Sequence, residues 1–317
     1  MILLRFILLR IVGGVAMLLA VSAMIFLMTD VLPGDVASRI LGRNPDPERL
    51  AILRAELGLD QPLVLRYVQW ITGILKGDFG NSLISGQPVA ETLGRRVLNS
   101  VLLGALALAI YVPMAVLPAI VQAVNRDRPL DQAISAVSLA ILSIPDFLLA
   151  TLILIGFVVL LPFAPARSII EASSTWGQAL HAMILPATTI SLVMATYAMR
   201  YLRDSLIEVL QTDYVRMARL NGTPQRVLIW RHAMPNALVP FLNVTALNLT
   251  YLFGGVVVIE QVFSFPGFGA LMVGALLQLD VPTVQATVLI AAAVYILGNL
   301  AVDLATLALN PRLRHVG

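Results

Sequence analysis

The sequence contains no cysteine, which excludes disulfides, thiolate metal sites and cysteine nucleophiles. Charge is scarce too: Asp, Glu, Lys and Arg make up 12% of the 317 residues, against roughly 25% in a soluble domain. Its one lysine, Lys76, follows Thr72-Gly73-Ile74-Leu75, so the phosphate-cradling pattern Gly-x-x-x-x-Gly-Lys does not occur. The histidines, His181, His232 and His315, are scattered without metal-ligand spacing, and no nucleophilic triad motif is present. Catalytic residues, metal ligands and resident cofactors are therefore not expected in this chain. The basic excess of +3 sits between apolar stretches, a pattern of membrane topology and not of a nucleic-acid patch.

What fills the sequence is apolar: 59% hydrophobic residues and a mean hydropathy of +0.89. Runs of about 18 or more apolar residues are transmembrane candidates, because about 20 residues at 1.5 Å rise cross the hydrocarbon layer. Six stand out. They are Ile11–Thr29, Val97–Asn125 with Pro113 and Pro118 inside it, a third between Asp131 and Arg167 interrupted by Asp146, Ala172–Met199, Ala233–Ile259 and Val281–Val302. Val21-Ser22-Ala23 resembles a signal-peptide cleavage site, but Met24 to Met28 prolongs the apolar run past it, which favours an uncleaved anchor.

Arginine placement orients the spans. With the N-terminus inside, twelve arginines are cytoplasmic: Arg5, Arg10, Arg126, Arg128, Arg200, Arg203, Arg216, Arg219, Arg226, Arg231, Arg312 and Arg314. The two short external loops hold Arg167 alone. The expected fold is thus all-α and polytopic, with six transmembrane helices and both termini in the cytoplasm. Residues 1–29 would form the N-terminal end and first span, 30–96 an external helical region between spans one and two, 97–311 the core with its cytoplasmic loop 200–232, and 312–317 a cytoplasmic tail.

The external region begins with a turn, Leu32-Pro33-Gly34-Asp35. Helices are predicted over Asp46–Leu57, with Pro47 in the first turn, and over Leu63–Leu75, where Leu63, Tyr67, Trp70, Ile71 and Ile74 fall at helical spacing. It would cap the outer mouth of the bundle, dock a soluble delivery protein, or both. In the cytoplasmic loop, Asp213 is a candidate N-cap and Asn221-Gly222 a C-terminal stop. They enclose about two helical turns, roughly 12 Å long. Thr223 then caps a second helix, with Pro224 in its first turn. The short helix suits a lever, or an amphipathic helix on the membrane surface.

Here the residues resemble a known family. The loop looks like the signature of ABC-importer permeases, Glu-Ala-Ala, three residues, Gly, nine residues, Ile-x-Leu-Pro. Ala218 and Gly222 match, followed after nine residues by His232, Met234 and Pro235. Arg216 and Met217 replace the first two signature residues and His232 the Ile, departures similar to the peptide and nickel branch, with Asp213-Tyr-x-Arg-x-Ala-Arg and Arg231-His-Ala. Pro235 stands where that branch often has Arg. Leu32-Pro-Gly-Asp35, Gly58 to Pro62, Gly77 to Ser82, Ser143-Ile-Pro145, Glu260 to Gly269, Asp303 and Asn310-Pro-Arg312 also resemble that branch, in order along nearly the whole chain.

The resemblance implies one of two related permeases, a heterodimer in the bacterial inner membrane. Two cytoplasmic ATPase subunits would carry Mg-ATP, and an external solute-binding protein would deliver a peptide, nickel or another small solute. The coupling loop would comprise Asp213, Tyr214, Arg216, Ala218, Arg219, Gly222, His232 and Pro235, with Tyr214, Ala218 and Gly222 as packing face and stop and Arg216 and Arg219 pairing with acidic groups. Charge inside a span is expensive and marks function by default. Asp146, after Pro145, is therefore a candidate to line the pathway or to be satisfied by neighbouring backbone or a partner. Glu260 and Asp303, near span ends, read as interfacial anchors. An ion-coupled secondary transporter is the alternative, but no inverted repeat with several embedded charges is evident. An intramembrane enzyme would need paired acids or histidines, which are absent.

Overall fold

The computed structural model describes residues 2–31, 46–56, 60–161, 165, 168 and 175–309, and every regular element among them is helical. The Leu32–Asp35 turn, Gly58, Arg167 and the tail from Asn310 lie outside the described residues. The first five helices are α1 (Ile2–Val31), α2 (Pro47–Glu56), α3 (Leu63–Leu75), α4 (Val89–Val124) and α5 (Pro129–Ser143). Then come α6 (Asp146–Leu154), prolonged by a π-helical stretch Ile155–Leu160, and α7 (Trp176–Leu210). The 200–232 loop contains α8 (Asp213–Leu220). After it run α9 (Met234–Val262), α10 (Phe268–Leu277) and α11 (Val281–Leu309).

Four described stretches are helices long and apolar enough to cross a membrane: Leu8–Thr29, Val89–Val124, Trp176–Leu210 and Val281–Leu300. The expected third span is not one continuous helix. It is a pair, Pro129–Ser143 and Asp146–Leu160, bent by 108°, which counts as a fifth if taken as one broken span. The cause lies in two residues. A proline ring disfavours helical backbone in the residue before it, and Ile144 is extended at φ −92°, ψ 128°. Pro145, at φ −56°, ψ 141°, then starts the next helix at Asp146.

The chain divides into two compact units, residues 1–98 with 271–317 and residues 99–270. In the first, α1 packs along α11, and a Cβ placed on Gly14 would meet Ile296 Cγ2 at 2.8 Å. Gln285 Nε2 donates to Thr29 Oγ1 at 2.7 Å, tying the same two helices near the opposite end of α1. Helix α3 lies on α1 through Tyr67 and Trp70, whose rings each sit 5.5 Å from that of Phe26. The Tyr67 hydroxyl shares a 2.7 Å hydrogen bond with Ser22. Tyr67, Trp70, Ile71 and Ile74 are half-buried as their spacing predicts, whereas Leu63 is exposed. Asp280, just before α11, accepts from Ser82 Oγ at 2.6 Å, Leu83 N at 3.0 Å and Thr283 Oγ1 at 2.7 Å. The turn after α3 is thereby latched to the start of the last helix.

The core of the second unit is a stripe on α4 facing α7 and α9. Leu103, Ala107, Tyr111, Ala115 and Ala119 recur every four residues and are fully buried, one face of a helix. Opposite them stand Ile190, Met194, Ala198 and Leu202 of α7 and Ala237 and Phe241 of α9. Ser191 Oγ reaches the Ala107 carbonyl at 2.7 Å. Tyr111 stacks on Phe241 at 5.9 Å and shares a 2.7 Å hydrogen bond with Thr245.

The two adjacent glycines of α1 separate close packing from helix propensity. Gly14→Val overfills the contact with Ile296 and should lower the stability of the purified protein by about 1–3 kcal/mol. Gly13→Val, which meets nothing within 4 Å, should change it far less; thermal unfolding in detergent compares them.

Candidate functional site

The 200–232 loop is built outward from α7. With 35 residues, that helix is about 52 Å long, well beyond the roughly 30 Å hydrocarbon layer. It therefore carries residues 200–210, expected as loop, as rigid helix. Gln211 and Thr212 turn the chain, and α8 follows.

Thr212, and not Asp213, is the N-cap of α8: its backbone is extended at φ −66°, ψ 151°. Its hydroxyl donates back to the Val209 carbonyl at 2.6 Å and makes no capping bond. Asp213 is the first helical residue, where its charge complements the helix dipole, as Arg219 does in the last turn. The C-terminal stop is where the sequence puts it. Asn221 is the C-cap, and Gly222 takes φ +79°, a left-handed conformation costly for residues with a Cβ. Gly222 N donates to Arg219 O at 3.0 Å and Thr223 N to Ala218 O at 3.2 Å, satisfying the last carbonyls. The following turn, Gln225–Val227, is capped by Pro224 and not by Thr223. It continues as a π-helical segment, Leu228–Ala233, into α9. Pro235 has no N–H for the carbonyl four residues back and crowds it; the widened π turn lies just upstream.

Two contacts fix α8 to this chain. Val215, which the sequence reading passed over, is fully buried, and Ala218, one turn on, is half-buried. Tyr214 has an exposed ring (45%), so it is not part of a buried packing face. Its hydroxyl donates to the His232 carbonyl at 3.1 Å and accepts from Asn236 Nδ2 at 2.7 Å, joining the helix to the root of α9. His232 thus contributes a backbone oxygen. Asp213, Arg216, Met217, Arg219 and Leu220 of α8 are exposed, as are Arg226, Trp230 and Arg231 nearby. Exposed apolar side chains thus stand among arginines on this part of the loop. No group of three or more metal-ligating side chains occurs among the described residues.

Asp146 sits apart from this surface. It is the first residue of α6, directly after the Pro145 break, half-buried and at the helix N-terminus, where a carboxylate is favoured.

Glu260 departs from expectation. It is fully buried, so it is no interfacial anchor. Ser100 Oγ donates to its Oε1 at 2.5 Å and Ala270 N to its Oε2 at 2.9 Å. A Cβ on Gly267 would lie 2.0 Å from Oε1. The carboxylate therefore braces the turn of residues 263–270.

The model of the family described as binding-protein-dependent transport system inner membrane component matches residues 111–315. A second, for the N-terminal part of such membrane components, matches residues 3–107. The chain belongs to this family. It is 36% identical over 306 residues, 96% of this chain and 98% of the relative, to a putative peptide transport system permease protein of Brucella abortus (strain 2308). It is 34% identical over 312 residues, 98% of this chain and 99% of the relative, to the glutathione transport system permease protein GsiC of Salmonella typhimurium (strain LT2). The protein is an inner-membrane permease subunit of an ABC-type importer.

In this permease the Tyr214 hydroxyl is the bolt that holds α8 to α9. Tyr214→Phe should weaken that attachment by about 1 kcal/mol. Amide exchange should then accelerate over 213–220 while the amides of α7 keep their protection, as hydrogen–deuterium exchange of the purified protein would reveal.

Proposed function

We propose that α8 is the coupling helix of the permease, docking in a cleft of a separate cytoplasmic ATPase and passing its closure to the membrane helices. The carrying observation is the combination of a short helix with fixed ends and an exposed face of Arg216, Met217, Arg219 and Leu220, bolted through Tyr214 to the root of α9. Arg216 and Arg219 pair with acidic groups of the ATPase. Hydrolysis takes place on two such subunits holding Mg-ATP, since this chain has no phosphate loop.

In this reading six spans cross the membrane, with both termini cytoplasmic. The fifth of them is α9, whose 29 residues extend about 43 Å and carry no Asp, Glu, Lys or Arg before Glu260. Residues 30–96 form the external region, latched through Ser82 and Leu83 to Asp280, and a solute-binding protein delivers substrate on that side. A second related permease completes the pathway. The substrate is a small peptide, as the names of the peptide and glutathione permeases it matches suggest. Asp146, at the break between α5 and α6, lines the pathway and attracts the cationic terminus of the peptide.

Gly222→Val tests the lever. A β-branched residue at φ +79° carries about 1–3 kcal/mol of backbone strain. The variant should insert and assemble, yet uptake per ATP hydrolysed should fall about tenfold or more. Normal substrate-stimulated hydrolysis and uptake would refute the coupling role. Because the chain has no cysteine, a single cysteine at Met217 also reports topology. It should react with a membrane-impermeant maleimide only from the cytoplasmic side.

A further inference from the structure

Four segments of the 99–270 unit converge on one carboxylate. Asp131, in the first turn of α5, has a side chain only 3% exposed. Arg203 of α7 grips it with both arms, Nε donating to Oδ1 at 2.8 Å and Nη2 to Oδ2 at 2.5 Å. From the turn between α4 and α5, Asp127 N donates to Oδ2 at 3.0 Å, its backbone at φ 63°. Gln122, fully buried in the last turn of α4, donates from Nε2 to Oδ1 at 3.2 Å, to the Asp131 carbonyl at 3.3 Å and to Ser135 Oγ at 2.9 Å. Arg203 Nη1 donates to Asp204 Oδ1 at 2.8 Å, which leaves the guanidinium little freedom to turn.

Such a clasp is a poor device for stability alone, since desolvating two charges offsets most of their attraction and apolar residues would serve as well. What a bidentate Arg–carboxylate pair supplies is fixed geometry. Its position gives that geometry a use. Arg203 lies seven residues before Leu210, the end of α7, about 10 Å along the axis, and α8 starts three residues further on. Asp131 begins the helix that runs to the 108° break at Ile144 and Pro145. The clasp therefore joins the stem bearing α8 to the helix leading into the bent pair.

We propose that Asp131 and Arg203 are positioning residues of the transport cycle, carrying a displacement of α8 through the end of α7 into α5 and the bent pair beyond it. The proposal rests on α8 being the coupling helix. Tyr214 would hold α8 to α9, and the clasp would provide a second path into α5.

The complete transporter, reconstituted in liposomes, tests this through uptake per ATP hydrolysed in Asp131→Asn, Arg203→Met, their combination and Arg203→Lys. Each neutral variant should lower the ratio about tenfold, and the double variant should be no worse than the worse single one, as for two residues acting through one contact. Arg203→Lys keeps the charge but loses the two-armed fork and should fall between. An unchanged ratio in assembled single variants, or losses that multiply in the double, would overturn the proposal. Where the neutral variants fail to assemble, Arg203→Lys decides, and a ratio equal to the native one is fatal. A coupled Gly222→Val variant would sink the coupling-helix reading itself. An uncoupled Gly222→Val beside a normal Arg203→Lys would sink the clasp alone.

Discussion

Close packing of α4, α7 and α9 is the constraint on which the 99–270 unit depends. In lipid, apolar side chains gain little by leaving hydrocarbon for one another, so helices associate through tight packing and hydrogen bonds between them. The α4 stripe meets that requirement with Ala107, Ala115 and Ala119, and α7 answers with Ala195 and Ala198. These small residues let Ser191 Oγ reach the backbone carbonyl of Ala107, on top of its bond to Ala187 in its own helix. Only with α7 held this firmly in the bundle can its overhanging end present α8 at a defined place. The placement of α8 is thus a consequence of helix packing.

Polar groups in this setting are few and answered. Tyr111 meets Thr245, Asn248 Nδ2 meets the Met194 carbonyl, and Glu260 meets Ser100 and Ala270 N. Among the described residues, Gln122 Oε1 is the buried side-chain polar atom left without a partner. Its amide nitrogen faces three oxygens, which fixes the orientation of the amide and leaves its own oxygen outside the cluster. A buried acceptor without a donor costs free energy, and here the loss accompanies a tightly specified carboxylate. Specific geometry at Asp131 has evidently been kept at some expense in satisfaction.

What could be read from the sequence follows from which signals are local. Apolar runs, the Asn221-Gly222 stop and the spacing of Tyr67, Trp70, Ile71 and Ile74 depend on nearby residues, and they located helices and a helix end. The bend at Pro145 was half visible: proline announced a break, but the 108° angle depends on tertiary packing that no local rule supplies. Glu260 looked like an anchor because it stands near a span end, and its burial depends on Ser100, 160 residues away. The Arg203–Asp131 pair was hidden for the same reason, since 72 positions separate its members. Capping was misplaced by one residue at both Thr212 and Pro224, where several cap-forming residues stand side by side.

The length of α8 poses a physical question that the contacts answer. Eight residues are too few for a helix to persist in water, because the nucleation cost is spread over too few bonds. A lever that melted would transmit nothing. Its order must come from outside itself, and three restraints supply it: the extended Thr212 at the start, the left-handed Gly222 at the end, and Val215 with Tyr214 anchoring the middle. None lies on the Arg216, Met217 and Leu220 face. In the proposed coupling role, that face would engage the ATPase without disturbing the contacts that keep the helix folded.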